Sequence, residues 1–223
     1  DEPPRFVARG LGHPLLPDAV RVANDVAVGP PGTFLLVTGS NTSGKSTLLR
    51  AIGVNAVLAQ AGGPVCATAL RLPPVTLGTS IRVQDSLEQG VSSYMAELQR
   101  LKEVVDLAER AQEDGARTLL FLLDEILQGT NTAERQIAAR RVILHLVANG
   151  AIGAVSTHDL TLAEHPAMAA AAQPIHFTEQ FHSGPEGPSM SFDYTIRPGV
   201  ATSTNALKLM QLVGLDLDEG DWR

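Results

Sequence analysis

An α/β fold with a mostly parallel central sheet, covered on both faces by helices, is the class this sequence predicts. Three observations carry the expectation. Short, almost wholly apolar runs, "TFLLVT" (33–38), "TLLFLL" (118–123) and "AIGAVS" (151–156), read as strands buried on both faces. Segments that read as helices, 45–60, 92–113 and 133–148, alternate with them. Hydrophobic residues make up 44% of the 223-residue chain, enough to bury a substantial core.

Taken in order, residues 1–33 are rich in Pro and Gly and predict an irregular lead-in with one or two edge strands. The strand 33–38 ends at Gly39 and hands over to a helix of good formers over 45–60. β-Branched residues broken by Pro and Gly over 64–83 predict two strands. In 92–113, Tyr94, Leu98, Leu101, Val105 and Ala108 recur at spacings of three and four, and Tyr94 and Met95 are assigned to the core. The helix 133–148 has Asn131 or Thr132 as its N-cap and Gly150 just past its end. Residues 174–181 and 189–196 read as an antiparallel pair joined by "HSGPEGPS", and a last helix is expected over 203–213. The chain is read as a single domain: a lead-in (1–33), a core (34–165) and a C-terminal hairpin and helix (166–223).

The formal net charge of −7 argues against a broad basic face gripping nucleic acid, while leaving room for a local patch. Cys66 is the single cysteine, so no internal disulfide forms; it reads as a small core residue in a reducing, cytoplasmic setting. No run reaches the ~18–20 apolar residues of a membrane helix, and no signal-peptide pattern opens the chain. Because the first residue is Asp1, the chain is expected to be a piece of a longer protein, whose upstream part can hold a membrane anchor or a DNA-binding region.

Gly39, Gly44, Lys45 and Ser46 match G-x-x-x-x-G-K-[ST]. A loop that wraps a phosphate must turn backbone N–H groups inward, which glycine permits, and the helix that follows adds its N-terminal donors. Residues Gly39, Ser40, Asn41, Thr42, Ser43, Gly44, Lys45, Ser46 and Thr47 are therefore expected to hold nucleotide phosphates. Lys45 reaches the β- and γ-phosphates and the Ser46 hydroxyl holds Mg²⁺. Chance would produce the pattern in roughly one chain in a hundred of this length; its position between an apolar run and a helix lifts it above that background.

"LLFLLDEILQGTNT" (119–132) ends an apolar strand in two acids. Asp124, at the strand's C-terminal end, is assigned to the Mg²⁺ shell, directly or through water. Glu125 is assigned to orient or deprotonate the attacking water. His158, in "VSTHDL" (155–160), lies just past another apolar strand and is assigned to sense the γ-phosphate. His13, His145, His165, His176 and His182 have no comparable context and read as structural or solvated, and no spacing suggests a zinc site.

These three motifs describe an ATP hydrolase of the ABC-like branch, and the stretch "DSLEQGVSSYMAELQRL" (85–101) narrows it. It lacks the Leu-Ser-Gly-Gly-Gln signature of transporter ATPases. It resembles the MutS family, whose ATPase domain carries an Asp, a Gly, then Ser-Thr/Ser-aromatic-Met-x-Glu; the matching residues are Asp85, Gly90, Ser92, Ser93, Tyr94, Met95 and Glu97. "GSNTSGKST", "LLDEILQGTNT", "STHDL", "GHPLL" and "RPGVATSTNALKLMQLVGL" resemble further family segments, so the likeness runs over about residues 10–215. Ser40, Thr42 and Ser43 stand where the mismatch-repair pattern has Pro, Met and Gly, and Leu127 and Gln128 stand where it has Gly and Arg. The chain has no mismatch-reading Phe-x-Glu region.

The resemblance implies a P-loop, ABC-type ATPase using ATP and Mg²⁺, forming a homodimer around two composite ATP sites. It implies that Ser92 donates to the γ-phosphate held by the other subunit, that the loop 129–132 meets the partner, and that the C-terminal helix serves dimerisation. Tyr194 falls where the family has an aromatic or His able to stack on the base, and Asn24 where it keeps an Asn near the phosphate loop. DNA binding is implied only through regions outside this chain. The rival reading is a nucleotide-switched interaction or membrane-anchored module that never touches DNA.

Overall fold

The computed structural model describes residues 2–40, 42–81, 93–127, 131–184 and 187–201. The core is a six-stranded sheet built from β3 (Phe34–Thr38), β5 (Val75–Ile81), β6 (Thr118–Asp124), β7 (Ile152–Ser156), β8 (Ala172–His176) and β11 (Arg197–Pro198). Its order is β11-β8-β3-β7-β6-β5, parallel throughout except for the antiparallel β11–β8 pair at one edge. The expected α/β class with a mostly parallel sheet is therefore present.

Alternation along these strands divides the core into two layers. Phe34 and Leu36 of β3 and Leu119, Phe121 and Leu123 of β6 face one layer. There they pack against Leu101, Val104 and Ala108 of α2 (Ser93–Asp114) and Ala139, Ile143 and Leu146 of α3 (Thr132–Ala148). Leu35 and Val37, with Leu120 and Leu122, face the other layer, against Leu48, Leu49, Ile52 and Ala56 of α1 (Lys45–Gln60). Two apolar faces explain why these strands read as unbroken hydrophobic runs rather than as alternating ones.

The close approach of β6 and β7 leaves no room for a side chain at Gly153. A Cβ there would lie 2.3 Å from both the Phe121 ring and its carbonyl oxygen. Gly153→Ala is expected to lower stability by about 1–3 kcal/mol through overpacking. Urea unfolding checks this; an unchanged midpoint would contradict the packing described.

The lead-in carries two strands, within the one or two expected, although the first lies at the centre of its sheet rather than at an edge. β1 (Phe6–Leu11) pairs antiparallel with both β2 (Asn24–Val28) and β4 (Ala69–Arg71), making a separate three-stranded sheet. Phe6, Val26 and Val28 from this sheet join the α1 layer. Asn55, fully buried on α1, ties it down: its amide donates to Gly12 O at 3.0 Å and its oxygen accepts from Cys66 N at 2.6 Å. That anchor fixes the start of the loop 12–23, at Gly12, against α1.

Four expectations are corrected. The antiparallel pairing of 174–181 with 189–196 holds only for Glu179–Phe181 with Met190–Phe192, within the hairpin of β9 (Glu179–Gly184) and β10 (Gly187–Phe192), whereas β8 adds parallel to β3. Met95 is 48% exposed rather than core; a helix turns about 100° per residue, so with Tyr94 on the buried stripe its neighbour points away. Cys66 is half-exposed, held by its backbone bonds to Asn55 and Gly12 rather than by burial. In α2 Val104 takes the fully buried place that the periodicity assigned to Val105, which is partly buried beside it.

The N-cap of α3 is Asn131, whose side chain accepts from Glu134 N at 2.9 Å, and Gly150 follows the helix with φ 74°. The short helices α4 (Thr161–Glu164) and α5 (Pro166–Ala171) lead into β8. The expected helix 203–213 lies outside the described residues. Among the described residues no helix is long and apolar enough to cross a membrane.

Candidate functional site

The C-terminal ends of β3, β6 and β7 open into one cavity of about 880 Å³. An open parallel sheet collects ligands at this edge, where loops leave the strands and helix N-termini point inward. Lys45, Ser46, Thr47, Ser40, Thr42, Gly44, Asp124, Glu125, His158, Asn24 and Tyr194 all line it. Residues far apart in sequence and singled out separately thus meet at one place. Gly39 and Ser43 belong to the same loop behind this lining, while Asn41 and Ser92 lie outside the described residues.

The loop between β3 and α1 has the backbone of an anion cradle. Gly39 (φ 133°), Thr42 (φ 69°) and Gly44 (φ 110°) all adopt the left-handed region. A side chain on Gly44 would also crowd the Tyr194 ring, whose Cδ1 lies 3.2 Å from the Cβ position. Gly44 caps α1 without any side-chain hydrogen bond, so no capping side chain competes for the first N–H groups of the helix. Among the described residues the buried Ser40 and Ser43 hydroxyls have no hydrogen-bond partner. Buried hydroxyls are costly unless bonded, so these two suit a loop completed by acceptor oxygens.

Lys45 is 5% exposed, an unusual position for an ammonium group. The loop's own carbonyls hold it: Nζ donates to Gly39 O at 2.8 Å and to Ser40 O at 2.9 Å. Its third neighbour is Glu125 Oε1 at 3.3 Å. The other oxygen of Glu125 meets His158 Nδ1 at 2.7 Å, and Glu125 N donates to Ser156 O at 3.1 Å. Lys45, Glu125 and His158 thus form one connected chain of charge and hydrogen bonds.

Asp124 is 7% exposed, and one of its oxygens accepts from the Ser156 hydroxyl. Asp124 and the Ser46 hydroxyl are hard oxygen donors lining the same cavity. This set fits Mg²⁺, which takes few protein ligands and completes its shell with water and substrate phosphates.

Strain surrounds the acids. Glu125 (φ 51°) and Leu127 (φ 62°) are both left-handed without being glycine, a conformation costing of order 1–3 kcal/mol each. Leu127, standing where the resembling pattern has Gly, is fully buried, and its N–H donates to Glu97 Oε1 at 2.6 Å. Burial raises the Glu97 carboxyl above the usual range, opposed by that N–H bond. Asp159, beyond His158, behaves oppositely. Burial would raise it, but hydrogen bonds from Thr161, Gln136 and Arg135 outweigh burial and lower it. Its ion pair with Arg135 at 3.2 Å ties the His158 loop to α3.

The apolar lining comes from Leu11, Leu16, Val20, Val22, Phe177 and Tyr194. Asn24 serves this part of the cavity indirectly. Its amide donates to Tyr194 O at 2.9 Å and its oxygen accepts from Ile196 N at 2.8 Å. It therefore fixes the segment carrying Tyr194, which sits at φ 52° and stacks on Phe192 at 5.9 Å. Arg197 reinforces the segment, and its guanidinium holds Asp193 down to about 2. Asn24→Ala removes two bonds at once and is expected to cost about 1–3 kcal/mol. Denaturant unfolding and protease cleavage near residue 194 check this; wild-type resistance in both would contradict the anchoring role.

Glu97, Ser156 and Ser80 are site residues that sequence reasoning left unassigned. Glu97 was quoted only as a motif letter, and nothing local marks the two serines at strand ends. His13, read as structural or solvated, lines the cavity and accepts from Leu15 N at 3.3 Å. The other histidines take structural partners: His145 with Glu109, His165 capping α5, His176 with Gly199 O and His182 with Ser191.

The family model described as MutS domain V matches residues 35–217. That span includes the β3–α1 loop, both acids, His158 and the Tyr194 segment. It covers most of the 223 residues, and the chain belongs to the MutS family through this domain.

Proposed function

We propose that this domain binds and hydrolyses ATP with Mg²⁺ as a P-loop ATPase of the ABC type. The observation that carries the reading is the connected set Lys45–Glu125–His158 against a loop whose buried hydroxyls have no partner among the described residues. The cavity, about 880 Å³, is of the size that small-molecule sites occupy. Its apolar lining suits a flat base, with Tyr194 able to stack on it.

In this reading the N–H groups and hydroxyls of residues 39–47 hold the β- and γ-phosphates. Lys45 exchanges its Glu125 contact for a γ-phosphate oxygen, which frees the carboxylate. Glu125 then orients the attacking water and takes its proton as oxygen bonds to the γ-phosphorus and the bond to the β-phosphate oxygen breaks, releasing ADP and phosphate. His158 donates to the γ-phosphate and keeps Glu125 aimed. Ser46 and Asp124 would hold Mg²⁺, which when bound would supply positive charge to the phosphates.

Dimerisation around ATP, with Ser92 reaching the partner's γ-phosphate and the 203–213 helix joining the subunits, belongs to the same proposal. Activity that appears with Mg²⁺ and disappears with a chelator supports the ATPase reading. Absence of phosphate release at saturating Mg²⁺ and ATP would end it.

The net charge of −7 favours a second reading of what the ATPase drives: a nucleotide-switched module acting on a protein or membrane partner. The first reading, which membership of the MutS family supports, is DNA binding or repair through regions outside this chain. Duplex DNA titrated at two salt concentrations against the longer protein separates them. Salt-sensitive binding supports the DNA role, because phosphate contacts release counterions; no binding at low salt supports the switch.

A further inference from the structure

We propose that Glu97 is a positioning residue for ATP hydrolysis: it clamps the backbone of residues 125–127 and so couples the position of α2 to the aim of Glu125. The inference rests on the ATPase reading above. The clamp is the hydrogen bond from Leu127 N to Glu97 Oε1, 2.6 Å long, joining residues 30 apart in sequence.

The segment needs a clamp. Glu125 and Leu127 both hold left-handed backbone angles that L side chains rarely adopt, so the segment relaxes unless its surroundings over-determine it. Among the described residues its backbone is held by Glu125 N on Ser156 O at 3.1 Å and by Leu127 N on Glu97. A third hold is the fully buried Leu127 side chain. The first belongs to the sheet and the third to the core. The Glu97 bond ties the backbone itself to α2, whose Leu101 and Val104 share the core layer with Leu127, and Glu97 itself lines the cavity.

Glu97 follows by five residues the Ser92 proposed to meet the partner's nucleotide. A displacement at the start of α2 moves the Glu97 carboxylate, which moves Leu127 N and, two residues back, Glu125. Glu97 touches neither phosphate nor water in this scheme. It acts through the backbone, which any acceptor oxygen at the same reach can hold.

The test compares Glu97→Ala and Glu97→Gln in the full chain, measuring ATP affinity by calorimetry and Mg²⁺-dependent turnover. Glu97→Ala is expected to lower kcat about tenfold or more while ATP affinity and KM stay within about threefold. Glu97→Gln, which keeps an acceptor oxygen, is expected to recover most of the rate. Wild-type kcat in Glu97→Ala overturns the proposal, as does loss of ATP binding in step with rate, which marks structural damage. A Glu97→Gln variant as slow as Glu97→Ala overturns it too. A wild-type chain that does not hydrolyse ATP removes the ATPase reading and this inference together, whereas an active wild type indifferent to Glu97 removes this inference alone.

Discussion

Glu125→Gln is expected to lower ATP turnover by about 10²–10⁴-fold while leaving ATP binding intact. The amide has nearly the carboxylate's shape, so the fold of the segment and the contact with His158 at 2.7 Å survive. The lost property is basicity: an amide cannot take the proton of the attacking water. The change also removes a negative charge 3.3 Å from Lys45, which lowers the competition for the ammonium when γ-phosphate arrives. ATP is therefore expected to stay bound, and the proposed dimer to persist. Phosphate release and size-exclusion chromatography with ATP and Mg²⁺ check both parts. Turnover at the wild-type rate would show that Glu125 is not the base; slow turnover by a persistent monomer would remove the dimer while sparing the base.

Lys45→Met carries the second large effect. Methionine keeps the length and apolar stem of lysine, so the tightly enclosed site remains filled. The change removes a charge bonded to Gly39 O, Ser40 O and Glu125. In the bound state the same charge meets phosphate oxygens, and hydrogen bonds to charged groups are worth about 1.5–3 kcal/mol. ATP affinity is expected to fall by about 100-fold, equivalent to about 3 kcal/mol. Calorimetric titration measures the affinity, and circular dichroism shows whether the fold persists. A folded Lys45→Met variant with wild-type affinity would contradict the phosphate role of the loop. The two substitutions separate binding from chemistry: one abolishes the grip, the other leaves the grip and stops the reaction.

The features legible in the sequence share a property: their physical cause acts over a few residues. Gly39, Gly44 and Lys45 lie within seven positions, and the turn they impose is local. The runs "TLLFLL" and "AIGAVS" are apolar because each residue faces a covered side of the sheet. Asn131 announces a helix start because its side chain bonds an N–H three residues on. Asp124, Glu125 and His158 stood out because they follow the phosphate-type loop in order, each at the end of an apolar run; alone, such residues are more often part of exposed turns.

The features that the sequence misplaced or left incomplete share the opposite property. Residues 172–176 pair with β3, more than 130 positions earlier, and nothing in their own pattern distinguishes that partner from the nearby hairpin. Asn24 was placed near the phosphates, and it does line the cavity, yet its bonds go to Tyr194 and Ile196, 170 and 172 residues away. Leu127 read as a departure from a glycine pattern, although its backbone keeps the left-handed angle that glycine suits. Its buried side chain and the Glu97 bond supply the restraint instead.

By itself, then, the sequence determined the glycine-bearing β3–α1 turn, the buried parallel strands and the candidate site side chains, because spacing and hydrophobic pattern are short-range consequences of backbone geometry. Only the tertiary structure decided that Glu125 bridges Lys45 and His158, that Asn24 holds the Tyr194 segment and that Glu97 reaches the acids. Those contacts depend on how the strands are ordered across the sheet and where α2 lies on it, a choice made by the packing of the whole core.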